Sequence, residues 1–244
     1  MRYAILGDIH ANLLALEAVL DMAKQRGVDQ ILSVGDVVGY GAGPREVLDV
    51  LRDENIPAVM GNHDAAIAGL LDTTFFNPMA KEAVQWTQGQ LTDGDLDWLH
   101  ELPMLLHCEG CDVAHGSYAE PELYKYIQST EDADPSLDLQ PQKACFVGHT
   151  HVPVTILRMA DNPERSFYTM DTQIDLTNAD KALINVGSVG QPRDEDPRAA
   201  LGIYDSQTNA YELLRVEYNI KLEAQRILSA GLPKMLADRI SLGI

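Results

Sequence analysis

Residues 3–10 read Tyr-Ala-Ile-Leu-Gly-Asp-Ile-His, an apolar run that ends in two polar side chains, Asp8 and His10. Short apolar runs of this kind predict buried β-strands. Four later apolar runs, at 31–34, 57–60, 113–114 and 145–147, are also followed by Asp, Asn or His. The polar residues that follow them are Asp36, Asn62, His63, Asp64, His115, His149 and His151.

Sheets with helical crossovers place their ligand sites at the carboxyl ends of the strands. One sheet edge is therefore expected to gather two aspartates, an asparagine and several histidines. Carboxylate, amide and imidazole ligands suit Mn, Fe, Ni or Zn rather than soft-metal chemistry. The sequence thus predicts a metal-centred active site.

The remaining pattern predicts an α/β protein. Asn12 is a candidate N-cap for a helix that ends near Gln25, and residues 44–53 form a second predicted helix before a third strand at 56–60. This β-α-β-α-β beginning implies parallel strands with right-handed crossovers. A helical section is expected around 64–101, strands dominate from 104 to 218, and amphipathic helical structure follows from 219. The architecture inferred is two packed sheets flanked by helices.

Composition adds limits. The motifs span more than half of the 244 residues, so we expect residues 1–244 to form a single domain. No apolar run approaches the ~20 residues that a membrane span needs, and nothing at the start resembles a signal peptide. Cys108 and Cys111 flank a predicted hairpin turn, and we interpret the three cysteines as reduced thiols of a cytoplasmic protein.

The formal net charge is −19, from 18 basic and 37 acidic residues. Proteins that bind duplex nucleic acid normally carry clustered Lys and Arg. The charge therefore disfavours a nucleic acid polymer and favours a small phosphorylated substrate that metals and a few arginines attract locally. An equally acceptable interpretation is that the acidity only maintains solubility. The sequence carries no signal for an oligomeric state.

In this order the motifs resemble the calcineurin-like metallophosphoesterase superfamily. They are Asp8-Ile9-His10, Gly35-Asp36, Gly61-Asn62-His63-Asp64, His115-Gly116 and Gly148-His149-Thr150-His151. Each motif alone is weak, but five in one order, each after a predicted strand, are specific. The resemblance implies a four-layer α-β-β-α sandwich of two mixed sheets. It also implies hydrolysis of a phosphate ester with two divalent ions, Mn being expected and Fe, Ni or Zn also suited.

The resemblance further implies a ligand set. Asp36 would bridge the two ions and hold them for in-line attack by a bridging hydroxide. The other implied ligands are Asp8, His10 and His151 for the first ion, and Asn62, His115 and His149 for the second. The neutral amide of Asn62 would keep the second ion a better Lewis acid.

His63 lies between a predicted ligand and an acid. The resemblance assigns it to protonating the leaving oxygen, with Asp64 orienting its ring. An imidazole titrates near neutrality and a carboxylate can fix its tautomer, so the chemistry allows this role. The alternative is a helix N-terminus at which Asp64 merely complements the helix dipole.

Departures from the pattern refine the prediction. Protein phosphatases of this superfamily have arginines at the positions that Tyr40 and Met60 occupy here, which makes phosphoprotein phosphatase activity an unfavoured interpretation. The segments 35–41 and 187–194 instead resemble the small prokaryotic phosphodiesterase branch. In the second segment, Arg193 is expected to bind a substrate phosphate together with Asn62. The alternative pairs Arg193 with Asp194 or Asp196.

Three functions follow from the sequence. The first is a metal-dependent phosphoric ester hydrolase that favours diesters or nucleotides over monoesters. The second is a nuclease of the same superfamily, which the acidic balance disfavours. The third is a metal-free scaffold protein, which has no reason to keep all seven ligands.

Overall fold

The computed structural model describes residues 1–244, apart from the side chain of residue 75. Two mixed sheets form the centre of the molecule, as predicted. The strands are β1 (Arg2–Leu6), β2 (Gln30–Ser33), β3 (Leu105–Cys108), β4 (Cys111–Ala114), β5 (Ala144–Val147), β6 (Val154–Met159), β7 (Asn162–Thr169), β8 (Gln173–Asp175), β9 (Ala179–Asn185), β10 (Ala199–Asp205) and β11 (Ala210–Val216). The helices are α1 (Leu13–Arg26), α2 (Pro44–Asp53), α3 (Asn62–Ile67), α4 (Pro78–Gln88), α5 (Asp93–His100), α6 (Thr130–Leu139), α7 (Ile220–Ser229) and α8 (Lys234–Leu242).

The first sheet has the order β2-β1-β10-β11-β8, and the second has the order β3-β4-β5-β9-β6-β7. β1 and β2 run parallel, as the β-α-β beginning predicts. β5 runs parallel to both β4 and β9. The parallel strands of each sheet therefore end at one edge, where the motif residues follow them.

Strand alternation divides the core into layers. In β1, Tyr3 and Ile5 pack in the cluster between the two sheets, where Phe146 and Ile184 of the second sheet also lie. Ala4 of the same strand faces the other way, into a cluster that includes the apolar face of α1. Because successive side chains of a strand point to opposite faces, one strand serves both layers.

The second sheet is covered in the same way on its outer face. Ala133 and Leu137 of α6 pack there against Cys145 and Leu183. The order of layers is therefore α-β-β-α, and the predicted fold class is confirmed.

The predicted third strand, at 56–60, is wrong. Only Ala58 forms a bridge, parallel to Ser33 of β2. Pro57 has no N–H to donate to a ladder, and the N–H of Met60 turns away to the carbonyl oxygen of Pro103, at 2.8 Å. The segment still brings Asn62 to the same edge as the true strands.

The helical structure predicted from residue 219 is confirmed, and it consists of two helices. α7 ends at Ser229, and α8 begins after Pro233. Gly231 between them has a φ of 77°, a conformation that ends a helix and that glycine adopts without strain.

In the described part of the chain, no helix is long and apolar enough to cross a membrane.

The local signals for the other elements are confirmed. The Asn12 side chain accepts a hydrogen bond from the N–H of Ala15, and Gly27 ends α1 in a left-handed conformation. Thr92 and Asp95 form a capping box at the start of α5, a pattern that both residue types and their spacing predict. Cys108 of β3 lies opposite Cys111 of β4 in the ladder of the predicted hairpin. All three cysteines are free thiols.

Candidate metal centre

The predicted ligand residues meet at one edge of the two sheets. Each follows a strand or, for Asn62, the bridge at Ala58. Six of the seven are buried, with exposed fractions of 6% or less. Those six are Asp8, His10, Asp36, His115, His149 and His151.

The first group of candidate ligands is Asp8, His10, Asp36 and His151, whose ligand atoms all lie within 4.8 Å of one another. Nε2 of His10 lies 3.1 Å from Nε2 of His151 and 3.6 Å from Oδ2 of Asp36. Nε2 of His151 lies 3.5 Å from Oδ1 of Asp8. The four donors thus converge on one point.

The second group is Asp36, His115 and His149, under the same distance limit. Nε2 of His115 lies 3.5 Å from Oδ2 of Asp36 and 3.2 Å from Nδ1 of His149. Oδ1 of Asn62 is 3.1 Å from the same Nε2 atom. Asp36 belongs to both groups, which is the position predicted for a bridging carboxylate.

Backbone carbonyl groups fix the tautomers of three of these rings. Nδ1 lies near the carbonyl oxygen of Val38 for His10 (3.3 Å), of Val34 for His115 (2.8 Å) and of Gln191 for His151 (2.6 Å). A carbonyl only accepts, so each Nδ1 carries a proton and donates it. Such a bond orients a metal-binding histidine and directs the other nitrogen to the metal.

Backbone N–H groups orient the two carboxylates. The N–H of His149 donates to both oxygens of Asp8, at 3.0 and 3.1 Å. The N–H of His63 donates to Oδ1 of Asp36, at 2.8 Å, which leaves Oδ2 to face both groups. A Cβ atom at Gly148 or Gly61 would overlap these carboxylates, so the glycines of both motifs are sterically required.

Charge within the site matches a cation centre. Burial lowers the pKa of His10 and of His151 well below the usual range, and it lowers that of His149 to about 3. These rings are therefore neutral at pH 7. Burial also acts against charge on His115, but the nearby Asp36 outweighs it and raises the pKa of His115 to about 9. Without a metal His115 thus holds the proton that metal binding would release.

The pKa values of Asp8 and Asp36 are shifted in opposite directions. Burial raises the pKa of Asp8 to about 7. Burial also acts to raise the pKa of Asp36, but the protonated His115 beside it holds that pKa well below its usual range. The shared carboxylate is thus the one that stays ionised.

The backbone of the site is unusual. Five of the seven candidate ligands have a positive φ, between 42° and 68°. They are Asp8, His10, Asp36, His149 and His151. This left-handed conformation is uncommon outside glycine, although Asp, Asn and His adopt it more often than other residues. Such backbone strain tends to lie at functional sites.

His63 lies beside the cluster, as predicted, but Asp64 does not orient its ring. The carboxylate of Asp64 accepts from the N–H groups of Val37, Val38 and Gly61, at 3.1 to 3.2 Å. Nδ1 of His63 is buried without a hydrogen-bond partner among the described residues. Asp64 instead ties the loop after Asp36 to the start of α3, because its position at the third residue of that helix turns it toward backbone donors.

The surroundings of His63 are aromatic. Its ring centroid lies 4.4 Å from that of Tyr40, 4.9 Å from His10 and 5.2 Å from Phe76. Burial in this setting lowers the pKa of His63 to about 4.

Arg193 faces the site rather than the acids beside it. Its guanidinium donates to Oε1 of Gln191 at 2.9 Å and lies 6.0 Å from the ring centroid of Tyr40. Asp194 pairs with Arg215, and Asp196 pairs with Arg198. Within the described structure Arg193 has no carboxylate partner, so the alternative of pairing with Asp194 or Asp196 is wrong.

Two features escaped the sequence analysis. The ring of Tyr126 stacks on that of His149, with centroids 3.9 Å apart and planes at 25°. Tyr126 lies in a loop without periodicity, so no sequence signal marked it. The carbonyl groups that fix the tautomers belong to the backbone, which residue types do not reveal.

Comparisons with known proteins agree with this geometry. The family model described as the calcineurin-like phosphoesterase superfamily domain matches residues 1–209. An uncharacterized protein of Methanocaldococcus jannaschii is 36% identical, over 98% of this chain and 97% of its own. A metallophosphoesterase from Sphaerobacter thermophilus, of known crystal structure, is 40% identical with a TM-score of 0.85, over 100% of this chain and 99% of its own.

A third relative matches only in part. A symmetrical bis(5'-nucleosyl)-tetraphosphatase of Sodalis glossinidius is 27% identical over 104 residues, which are 41% of this chain and 37% of the relative.

Proposed function

Because the chain belongs to the calcineurin-like phosphoesterase superfamily, we propose that it is a dinuclear metal-dependent phosphoesterase that hydrolyses a small phosphodiester or nucleotide-type substrate. One observation carries the metal centre. His10 and His151 are neutral, both donate from Nδ1 to carbonyl groups, and their Nε2 atoms are 3.1 Å apart. Two lone pairs that face each other in a buried site repel each other unless a cation lies between them.

The ligands that would hold the first ion are Asp8, His10 and His151, and those for the second are Asn62, His115 and His149, with Asp36 shared. When bound, two divalent ions polarise the phosphoryl oxygens and activate the attacking water. Mn is the ion we propose. The oxygen and imidazole donors also accept Fe, Ni or Zn.

Protein side chains supply the remaining steps. Asn62 and Arg193 hold the substrate phosphate, and the guanidinium of Arg193 donates to the phosphoryl oxygens. His63 holds a proton at the leaving oxygen. Because its pKa is about 4, the imidazole is neutral in the free protein, and an anionic phosphate beside it is needed to raise that pKa.

The preference for diesters rests on the shortage of positive side chains. Tyr40 occupies a position that the protein phosphatases fill with arginine, which leaves Arg193 as the guanidinium beside His10 and His63. A monoester dianion needs more positive charge than a diester monoanion. We expect a higher kcat/KM for bis-p-nitrophenyl phosphate than for p-nitrophenyl phosphate. A monoester that reacts tenfold faster, about 1.4 kcal/mol at the transition state, contradicts the preference.

Metal analysis tests the centre itself. Saturation with Mn²⁺ should give about two ions per chain, by analogy with other two-metal hydrolases. Asp36→Ala should lose both ions, His149→Ala should weaken chiefly one, and Asp138→Ala on the exposed face of α6 should lose neither. Elemental analysis that finds at most one ion in the wild type contradicts the proposal and leaves the scaffold alternative.

A further inference from the structure

A cavity of about 600 Å³ opens next to His63 and His149. Two segments outside the histidine motifs contribute most of the lining, together with Tyr40, Asn62 and Ala80. The lining residues of these segments are Leu71, Asp72, Phe76 and Asn77 in the first and Glu122, Leu123, Tyr124 and Tyr126 in the second. His63, the candidate acid for the leaving oxygen, lines this cavity together with the candidate ligands Asn62 and His149, so a leaving group that His63 protonates would lie in the cavity.

The lining is rich in aromatic rings. Tyr126 stacks on His149 with one face, yet its side chain is 51% exposed, so much of its surface is available. Phe76 and Tyr40 contact the ring of His63 on another wall, and Tyr124 completes the set. Flat aromatic surfaces favour a planar ring as occupant, and base–aromatic stacking contributes about 1–3 kcal/mol per base.

The charge of the lining restricts that occupant further. Asp72 and Glu122 line the cavity, and the described lining includes no lysine or arginine. A second phosphate group there would be repelled. An exocyclic amino group of a base would instead be accepted, because carboxylates take hydrogen bonds from such groups.

We infer that this cavity binds an amino-bearing nucleobase of the leaving group, so that the substrate is a nucleoside phosphodiester with a single phosphate rather than a dinucleoside polyphosphate. This substrate class rests on the proposed function for its reaction, but the cavity can be tested without turnover. Tyr126 is then the residue that selects the leaving group.

The test is equilibrium binding of adenosine, which has no phosphate, to the Mn²⁺-loaded protein. Tyr126→Ala should weaken adenosine binding about tenfold, within the range for a lost base–aromatic stack. Tyr126→Phe keeps the ring and should bind within about twofold of wild type, as should Tyr168→Ala, which removes an exposed tyrosine of β7. Metal content is measured for each variant, because Tyr126 contacts His149. Phe76→Leu removes a second ring without touching His149 and should also weaken binding.

Inosine has no amino group and tests the charge argument. It should bind several-fold more weakly than adenosine, and the difference should disappear in the double variant Asp72→Asn, Glu122→Gln. The inference is overturned if ribose binds as well as adenosine, or if Tyr126→Ala binds adenosine like wild type with its metal retained.

The two proposals fail separately. Hydrolysis of bis-p-nitrophenyl phosphate without adenosine binding leaves the phosphoesterase function standing and removes the base site. Adenosine binding without any esterase activity would support the base site and contradict the phosphoesterase function. Faster hydrolysis of diadenosine tetraphosphate than of a dinucleoside monophosphate also contradicts the inference.

Discussion

At the scale of single residues, the histidines of the site fall into two groups: those proposed to bind metal and the one proposed to transfer a proton. His10, His115 and His151 are each fixed by a carbonyl group at Nδ1. Nδ1 of His63 has no such bond among the described residues, and its ring packs against the rings of Tyr40 and Phe76. A ring that is not tied to a carbonyl keeps both nitrogens available for proton transfer, which suits the role predicted for His63.

His63→Ala should therefore act selectively. A general acid contributes about 10²–10⁴-fold when the leaving group needs a proton. We expect a loss in that range on an alkyl or nucleoside ester and a loss of about tenfold or less on a nitrophenyl ester, whose anion leaves readily. His100→Ala, at an exposed position of α5, is the control, and both variants should retain their metal. Equal losses on the two esters would assign His63 to positioning the phosphate instead.

Arg193→Ala should raise KM with little change in metal content. A charge-assisted hydrogen bond contributes about 1.5–3 kcal/mol, which corresponds to roughly 10- to 100-fold in kcat/KM. Arg193→Lys should recover only part of this, since an ammonium group donates without the planar fork. Arg198→Ala removes an arginine of the same loop that pairs with Asp196 and should behave like wild type. Unchanged kinetics for Arg193→Ala would remove Arg193 from the substrate site.

At the scale of elements, patterns with a local cause were predictable. In the caps at Asn12 and Thr92, the side chain and the N–H group that it accepts from are three residues apart. The local sequence is therefore enough to predict them. The segment at 56–60 has a strand-like composition but forms only the bridge at Ala58. The N–H of Met60 donates to the carbonyl oxygen of Pro103, a partner distant in sequence that the local pattern does not show. The role of Asp64 was missed for the same reason, since its hydrogen-bond partners Val37 and Val38 come from another motif.

Helix α7 carries a buried acid that makes stability depend on pH. Glu223 is 0% exposed, and burial raises its pKa to about 7 although Arg226 lies 3.5 Å away. A carboxyl whose pKa is raised in the folded state stabilises the protein while protonated. That contribution is complete below the unfolded pKa of about 4.5 and is lost as pH rises toward 7.

Glu223→Gln should accordingly be more stable than wild type at pH 8.5, by about 2 kcal/mol, and nearly equal to it at pH 5. Urea unfolding at the two pH values measures the difference, and other buried acids cancel because both proteins contain them. Glu217→Gln changes an exposed glutamate just before α7 and should shift neither value. A Gln variant that is less stable at both pH values would show that the charged pair with Arg226 stabilises the fold.

At the scale of the whole molecule, the net charge of −19 opposes the approach of an anionic substrate. Salt screens such long-range fields, with a Debye length near 10 Å at 0.1 M. Raising the ionic strength from 10 to 150 mM should therefore increase kcat/KM for an anionic diester by about two- to threefold while kcat stays nearly constant. The zwitterionic diester p-nitrophenyl phosphorylcholine has no net charge and should show no increase. A steep fall with salt on a polynucleotide would favour the nuclease alternative.

The left-handed backbone of the five ligand residues has a consequence for how this fold can change over generations. The residue types that tolerate that conformation, Asp, Asn and His, overlap with those that bind hard cations. An exchange of Asp8 or His10 for Asn needs one nucleotide change, replaces a carboxylate or imidazole ligand by a weaker neutral amide, and still leaves a side chain that accepts the loop's geometry. A descendant protein can thus lose catalysis while its loops keep their shape. A binding protein can therefore evolve from a hydrolase through variants that all remain folded.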